Sequence, residues 1–181
     1  MAITRLGGAN AITGIIPVTN GGTGASSFSP GKVLQVVQGS TTSQSSTTST
    51  TYQNSNLSAS ITPSSSSNKV LIMISQMLNT FSGSGGSGDE YGAIKWKLLR
   101  DSTDLYIPNN GNNGNGLFFY NYDGAGQQIS TLANLQYLDS PSTTSATTYK
   151  TQVAAAANGD PTVTAQWENN KSFITLLEVA G

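Results

Sequence analysis

Short apolar stretches, separated by polar turns, run along most of this chain. At 94–100 apolar and basic side chains alternate, so that Ile94, Trp96 and Leu98 face one side. This period of two is typical of a sheet with one solvated side. The strongest strand is predicted at 69–78, where a continuous apolar run near the start indicates burial on both faces.

The same kinds of pattern predict further strands. They lie at 32–38, 56–62, 105–107, 117–122, 128–138, 147–155, 162–167 and 172–179. Loops rich in Gly, Ser and Asn are predicted at 81–89 and 108–116. The last two strands are joined by 168–171, which the pattern presents as a hairpin-like connection. The polar run 40–51 is typical of a loop leading into a strand at about 50–53, although Thr, being β-branched, also suits a strand.

Many short strands with turn signals between them predict an all-β fold, an antiparallel jelly-roll-like β-sandwich over residues 31–181. Residues 1–30 differ, because they hold many glycines and too few apolar side chains to form a core. We therefore expect an extended arm that docks on another surface. The composition agrees with a β protein: charged residues are only 9%, and the polar remainder is Ser, Thr, Asn, Gln and Gly, which are poor helix formers.

Charge and residue types narrow the classes of function. The net charge is −1, with 8 basic and 9 acidic residues and no basic cluster, which argues against nucleic acid and against an anionic membrane surface as partner. No apolar run approaches the ~20 residues of a membrane-spanning helix, so no membrane insertion is predicted. The chain has neither Cys nor His, hence no thiolate nucleophile and none of the commonest general base or metal ligand. We predict a protein that is not an enzyme and that uses no cofactor or metal.

Carboxylates are the remaining candidates for catalytic or metal-binding groups. Asp101 and Asp104 bracket a turn, and Asp123 and Asp160 lie in Gly-rich loops. Glycoside hydrolysis needs two carboxyls held across a bond, and calcium needs several oxygen ligands from one loop. No spacing here matches either site, whereas Asp at turns commonly caps its own backbone. The structural interpretation is therefore favoured.

Aromatic and amide side chains near the predicted loops form a candidate carbohydrate-binding set. The candidate receptor residues are Tyr91, Asn109, Asn110, Asn112, Asn113 and Asn115. Exposed loops often carry binding functions. For the aromatic residues at 118–122 a simpler interpretation is a place in the core or in a subunit interface, because alternating aromatics suit both.

Two parts of the chain resemble phage proteins. Residues 16–26 read Ile-Pro-Val-Thr-Asn-Gly-Gly-Thr-Gly-Ala-Ser, which resembles an element that recurs in phage tail-fibre proteins. The rest resembles a β-sandwich module of fibre-like proteins from marine phages, cyanophages among them. The matching stretches are 32–38, 61–65, 68–72, 99–103, 137–141 and 145–149.

The resemblance implies a location on the virion, on the tail or capsid exterior, after synthesis in the host cytoplasm, and a homotrimer. Its arm would dock on other virion proteins by backbone pairing and small apolar anchors. The docking residues expected are Ile3, Thr4, Arg5, Leu6, Ile15, Ile16, Pro17, Val18, Asn20, Gly21, Gly22, Thr23 and Gly24. Three hypotheses follow: a short fibre or spike that contacts a host surface glycan, a capsid decoration or head-fibre protein, and a polysaccharide-degrading fibre enzyme.

Overall fold

The computed structural model describes residues 32–81, 90–108, 118–122, 128–155 and 161–181. Eleven strands lie in these ranges: β1 Val33–Thr41, β2 Ser45–Thr47, β3 Gln53–Ile61, β4 Lys69–Phe81, β5 Glu90–Arg100, β6 Thr103–Tyr106, β7 Phe118–Tyr122, β8 Gln128–Asp139, β9 Thr147–Ala155, β10 Thr162–Ala165 and β11 Ser172–Val179. Every pairing between them is antiparallel. The all-β fold predicted from the sequence is confirmed.

The strands form two sheets. In sheet I, β4 pairs on one side with β8 and on the other with both β11 and β10. Beyond these, β11 pairs with β1, and β10 pairs with β2. In sheet II, β3 pairs with β9, β9 with β5, and β5 with β6 and β7. Each sheet is thus four strands wide, with two short strands end to end in some positions. The two antiparallel sheets pack face to face as a sandwich.

The connection between the last two strands is not a hairpin. Ala165 of β10 lies opposite Leu78 of β4, and Phe173 of β11 lies opposite Ser75 of the same strand. The two strands therefore follow one another along one edge of β4, separated by a short 3-10 turn at Trp167–Asn169. The prediction of a hairpin-like connection is wrong, because alternation along two strands does not show whether they pair with each other or with a common neighbour.

Inward-facing side chains of both sheets form one hydrophobic core. Its members include Leu57, Ile72, Leu78, Ile94, Trp96, Leu98, Val153, Ile174 and Leu176. The predicted inward face of β5 is confirmed, since Ile94, Trp96 and Leu98 are at most 1% exposed. The prediction for β4 is only half right: Val70 is fully buried, but Met73 on the opposite face is 40% exposed.

The polar run at 40–51 contains more strand than predicted. Ser40 and Thr41 continue β1, and Ser45–Thr47 form β2. For these residues the alternative prediction, a strand rich in Thr, is the correct one. Cross-strand hydroxyl contacts stabilise it: Ser46 Oγ lies 2.9 Å from Thr164 Oγ1 of β10. The next strand begins at Gln53, at the end of the range predicted for it.

Candidate interaction surface

Most residues predicted to bind a partner lie outside the described part of the chain. This holds for all thirteen arm residues and for the five asparagines at 109–115. Tyr91 is the exception, because it lies in β5, opposite Asn121 of β7. It belongs to a strand rather than to a loop tip, and its role in receptor contact stays a prediction.

On the outer side of sheet I, apolar side chains alternate with uncharged polar ones such as Ser75, Asn134 and Thr175. We call the apolar members together the outer apolar face. Its members are Val36, Leu71, Met73, Met77, Leu132, Leu138, Phe173 and Leu177. Residues paired across neighbouring strands point to the same side of a sheet. Val36 is opposite Leu177, Leu177 is opposite Leu71, and Leu71 is opposite Leu138. A line of apolar side chains thus crosses the whole width of the sheet, from β1 to β8.

The outer apolar face is exposed in the single chain. Val36 is 60% exposed, Leu138 52% and Leu132 51%. Beside Met73 and Phe173 the face dips into a shallow depression that is lined by apolar and polar side chains, Asn134 among the polar ones. Single exposed apolar residues are ordinary, but a continuous row of them across a whole sheet is a candidate interaction site.

Few charged side chains lie on this side of the sheet, and one of them is Lys171, whose Nζ lies 5.6 Å from the centre of the Phe173 ring. The strands β1, β4, β8 and β11 contain three charged residues, namely Lys69, Asp139 and Glu178. The two carboxylates are buried, at 6% and 1% exposure. Lys69, at the end of β4, is therefore the single charge that these strands present outwards.

The outer side of sheet II is polar by contrast. Lys97 Nζ of β5 lies 2.7 Å from Asp104 Oδ1 of β6 and 4.5 Å from the centre of the Tyr52 ring. Gln152 Nε2 of β9 donates to Asn54 Oδ1 of β3 at 3.0 Å. The sandwich therefore has two different outer sides: that of sheet I has many apolar side chains and few charges, and that of sheet II is polar and charged.

The candidate catalytic carboxylates that lie in the described residues have structural partners. Asp101 Oδ1 accepts a hydrogen bond from the Thr148 backbone N–H at 3.0 Å, while Asp104 pairs with Lys97. Asp101 also has a positive φ of 51°, as expected for Asp in a tight turn. Asp123 and Asp160 lie outside the described residues.

A second charged cluster ties the two sheets together. Arg100 of β5 donates from Nη1 to both carboxylate oxygens of Asp139 in β8, at 2.9 and 2.8 Å. Tyr149 of β9 donates its hydroxyl to Asp139 Oδ2 at 2.7 Å. Burial, and then the hydrogen bond and charge of Asp139, raise the pKa of Tyr149 above its ordinary value. The phenol thus stays protonated and keeps donating to the carboxylate.

Glu178 is a buried carboxylate without a cation among the described residues. It accepts from Gln35 Nε2, the Ser64 backbone N–H and Asn68 Nδ2, each at 2.6 Å, and from Ser64 Oγ at 2.8 Å. Burial acts to raise the pKa of Glu178, but these hydrogen bonds outweigh it and lower the pKa to about 2. The group joins the 62–68 turn to β11 and β1.

The interior also holds a polar network centred on Gln76 of β4. Its Oε1 accepts from Trp96 Nε1 at 2.8 Å and from Thr151 Oγ1 at 2.9 Å, and its Nε2 donates to Ser55 Oγ at 2.9 Å. All four side chains are at most 1% exposed. Such satisfied buried networks fix one packing of the two sheets, and here the network is sealed from any ligand.

Within 32–81, 90–108, 118–122, 128–155 and 161–181, no three side chains of His, Cys, Asp or Glu are grouped in a way that could hold a metal ion. In the same ranges no helix has the length and apolar character needed to cross a bilayer.

Comparison with known proteins adds no relative: no protein-family model matches the chain, and neither does any curated protein sequence. The outer apolar face itself was not identified from the sequence. A signal for it was present, because the run at 69–78 has the pattern of a strand buried on both faces, while one chain buries only one of them.

Proposed function

We propose that this protein is a structural component of a phage particle, a short fibre or spike in which a β-sandwich assembles with copies of itself. The observation that carries the proposal is the outer apolar face of sheet I, set against the polar outer side of sheet II. The core of a specific interface is depleted in charge, and rims and free surfaces are polar. The outer side of sheet I resembles an interface core in its low charge, and the outer side of sheet II resembles a free surface.

We infer further that the sandwich is of jelly-roll type. The row order β1, β11, β4, β8 in one sheet and β3, β9, β5, β6 in the other supports this. A jelly roll has two four-stranded sheets built from two Greek keys, and it recurs in viral capsid and lectin domains. That fold-level analogy agrees with the proposed role but does not by itself assign it.

The arm would hold the sandwich on the particle, with its glycine-rich element at 16–26 docking on other virion proteins. The resemblance to tail-fibre elements supports this part. No shaft of repeats separates the arm from the sandwich, which favours a short appendage on the tail or capsid. Contact with a host surface glycan, through the Asn-rich loop at 108–116, belongs to the same proposal.

Labelling of intact virions with gold-conjugated antibody against this protein tests the proposal. We expect label on the tail, at the sites of short appendages. Label spread over the head instead would make the protein a capsid decoration or head-fibre protein. Particles without any label, from a lysate that contains the protein, would overturn the structural role.

For the receptor contact, replacement of 108–116 by a short Gly-Ser loop should reduce adsorption of particles to cells. Unchanged adsorption would remove the receptor role and leave the structural one. A reducing-sugar assay on host polysaccharide separately checks the enzyme hypothesis, for which we expect no product.

A further inference from the structure

In the described part of the chain, three of the four sheet edges carry features that hinder pairing with another strand. The β1–β2 edge has a bulge between Val33 and Gln35 and is interrupted at 42–44. The β3 edge is irregular between Asn54 and Ser58. The edge formed by β6 and β7 consists of strands of only four and five residues. Bulges, breaks and short strands are the usual means by which proteins protect sheet edges.

The β8 edge has none of these features. β8 is 12 residues long and pairs with β4 in unbroken register from Gln128 opposite Phe81 to Asp139 opposite Val70. It contains no Gly or Pro, and its one charge, Asp139, is buried. Among the described strands, β4 is its single partner. A long, regular, uncharged edge is a template for strand addition.

We propose that β8 pairs antiparallel with β8 of a second copy, around a two-fold axis at Leu135. This places Leu132 of each copy opposite Leu138 of the other, and Asn134 opposite Gln136. The inference rests on the proposed assembly function and names the partner and the contact.

A second copy fits this edge for three reasons. Antiparallel pairing of a strand with itself is two-fold symmetric, so one contact uses the same surface on both partners. The edge carries no outward charge, so two copies meet without repulsion. The half-exposed Leu132 and Leu138 then cover one another, while about one backbone hydrogen bond forms per paired residue. The outer apolar faces of both copies then lie side by side in one continuous sheet, and this edge contact leaves them uncovered.

The absence of native cysteine allows the contact to be tested by disulfide formation in the full chain. Opposed residues in an antiparallel pair have Cα atoms about 4.5–5.5 Å apart, within the range of a disulfide. We expect Asn134→Cys and Gln136→Cys proteins, mixed and oxidised, to give a disulfide-linked dimer of one copy of each. Ser58→Cys on β3, mixed with either, is the control and should crosslink at least about tenfold more slowly.

Charge placed on the edge gives an independent test. Leu132→Lys with Leu138→Lys sets lysines opposite each other in the proposed register, which should weaken association at least about tenfold. The matched control is Ser58→Lys with Ser60→Lys, on the exposed side of β3, which should associate like the wild type. Sedimentation equilibrium measures both, and melting curves verify that each variant is folded.

The outcomes separate this inference from the function on which it rests. A wild-type dimer, or an even multiple, with the expected crosslink supports the β8 contact. A wild-type monomer, a trimer as the resemblance implies, or an oligomer without the crosslink would overturn it, since a two-fold contact cannot close a trimer. In those cases the virion labelling still decides the proposed function.

Discussion

At the scale of single residues, Glu178 shows how a charge is kept inside a weakly charged protein. A buried carboxylate normally needs a cation, because the loss of water costs several kcal/mol. Here hydrogen bonds from Gln35, Ser64 and Asn68 replace water around both oxygens. These donors come from β1 and from the 62–68 turn, so one side chain of β11 holds three segments together.

Replacement of Glu178 by Gln should reduce the free energy of unfolding at pH 7 by about 2 kcal/mol, because an amide cannot accept all four hydrogen bonds. The folded pKa of Glu178 is about 2, below its ordinary value of 4.5. Its contribution is therefore complete above about pH 4.5 and is lost as the pH falls towards 2. Urea unfolding of wild type and variant between pH 2 and 7 measures the difference.

The control for this experiment is Glu168→Gln, which changes an exposed carboxylate in the turn between β10 and β11. It should leave the unfolding free energy near the wild-type value at every pH. If the difference between wild type and Glu178→Gln did not shrink on acidification, the charge of Glu178 would not be the source of its stabilising effect.

At the scale of elements, the close approach of β1 to β3 brings the edges of the two sheets together on one side of the sandwich. Gly39 of β1 lies against β3 so closely that a Cβ at this position would stand 2.1 Å from the backbone oxygen of Ser58. A backbone atom cannot rotate away as a side chain can. The absence of a side chain at Gly39 is therefore what allows the two strands to cross at this distance.

Gly39→Ala should consequently lower the free energy of unfolding by about 2 kcal/mol, as overpacking does where the backbone must shift. For a chain of this size the melting temperature should fall by about 4–8 °C. Ser40→Ala, at the exposed neighbouring position, is the matched control and should melt like the wild type. Equal melting of the two variants would show that β1 and β3 can separate without cost.

The strands were predictable from the sequence because period two, β-branched residues and turn residues act locally. The strand at 147–155, for example, was placed with the bounds that the structure has. Pairing was less predictable, since β10 and β11 share β4 as a neighbour, and no local pattern encodes that choice. The candidate site shows the same limit, because a face such as that of Met73 and Leu138 exists only once distant strands lie side by side.

At the scale of the whole molecule, the two outer sides of the sandwich suggest how it is used. One side, around Leu71 and Leu177, has the composition of an interface, and the other, around Lys97 and Gln152, has that of a free surface. A sandwich of this kind is stable through its own core and still has one apolar side to cover. Assembly and particle attachment can then be separate tasks, the first for the sandwich and the second for the arm.

Deletion of residues 1–31 tests this division of tasks. The hydrophobic core described here runs from Leu57 to Leu176, so we expect the shortened protein to fold and its melting temperature to change by no more than about 3 °C. Because the arm is the proposed docking element, particles assembled with the shortened protein should carry no gold label. Ser58→Lys in the full chain is the control and should be incorporated like the wild type.

Each alternative result has a definite meaning. A shortened protein that fails to fold would show that the arm belongs to the folding unit, and the boundary near residue 30 would be wrong. A folded shortened protein that is still incorporated would move the docking function from the arm to the sandwich, where the outer apolar face would be its first candidate. Only folding together with loss of label supports an arm that attaches and a sandwich that assembles.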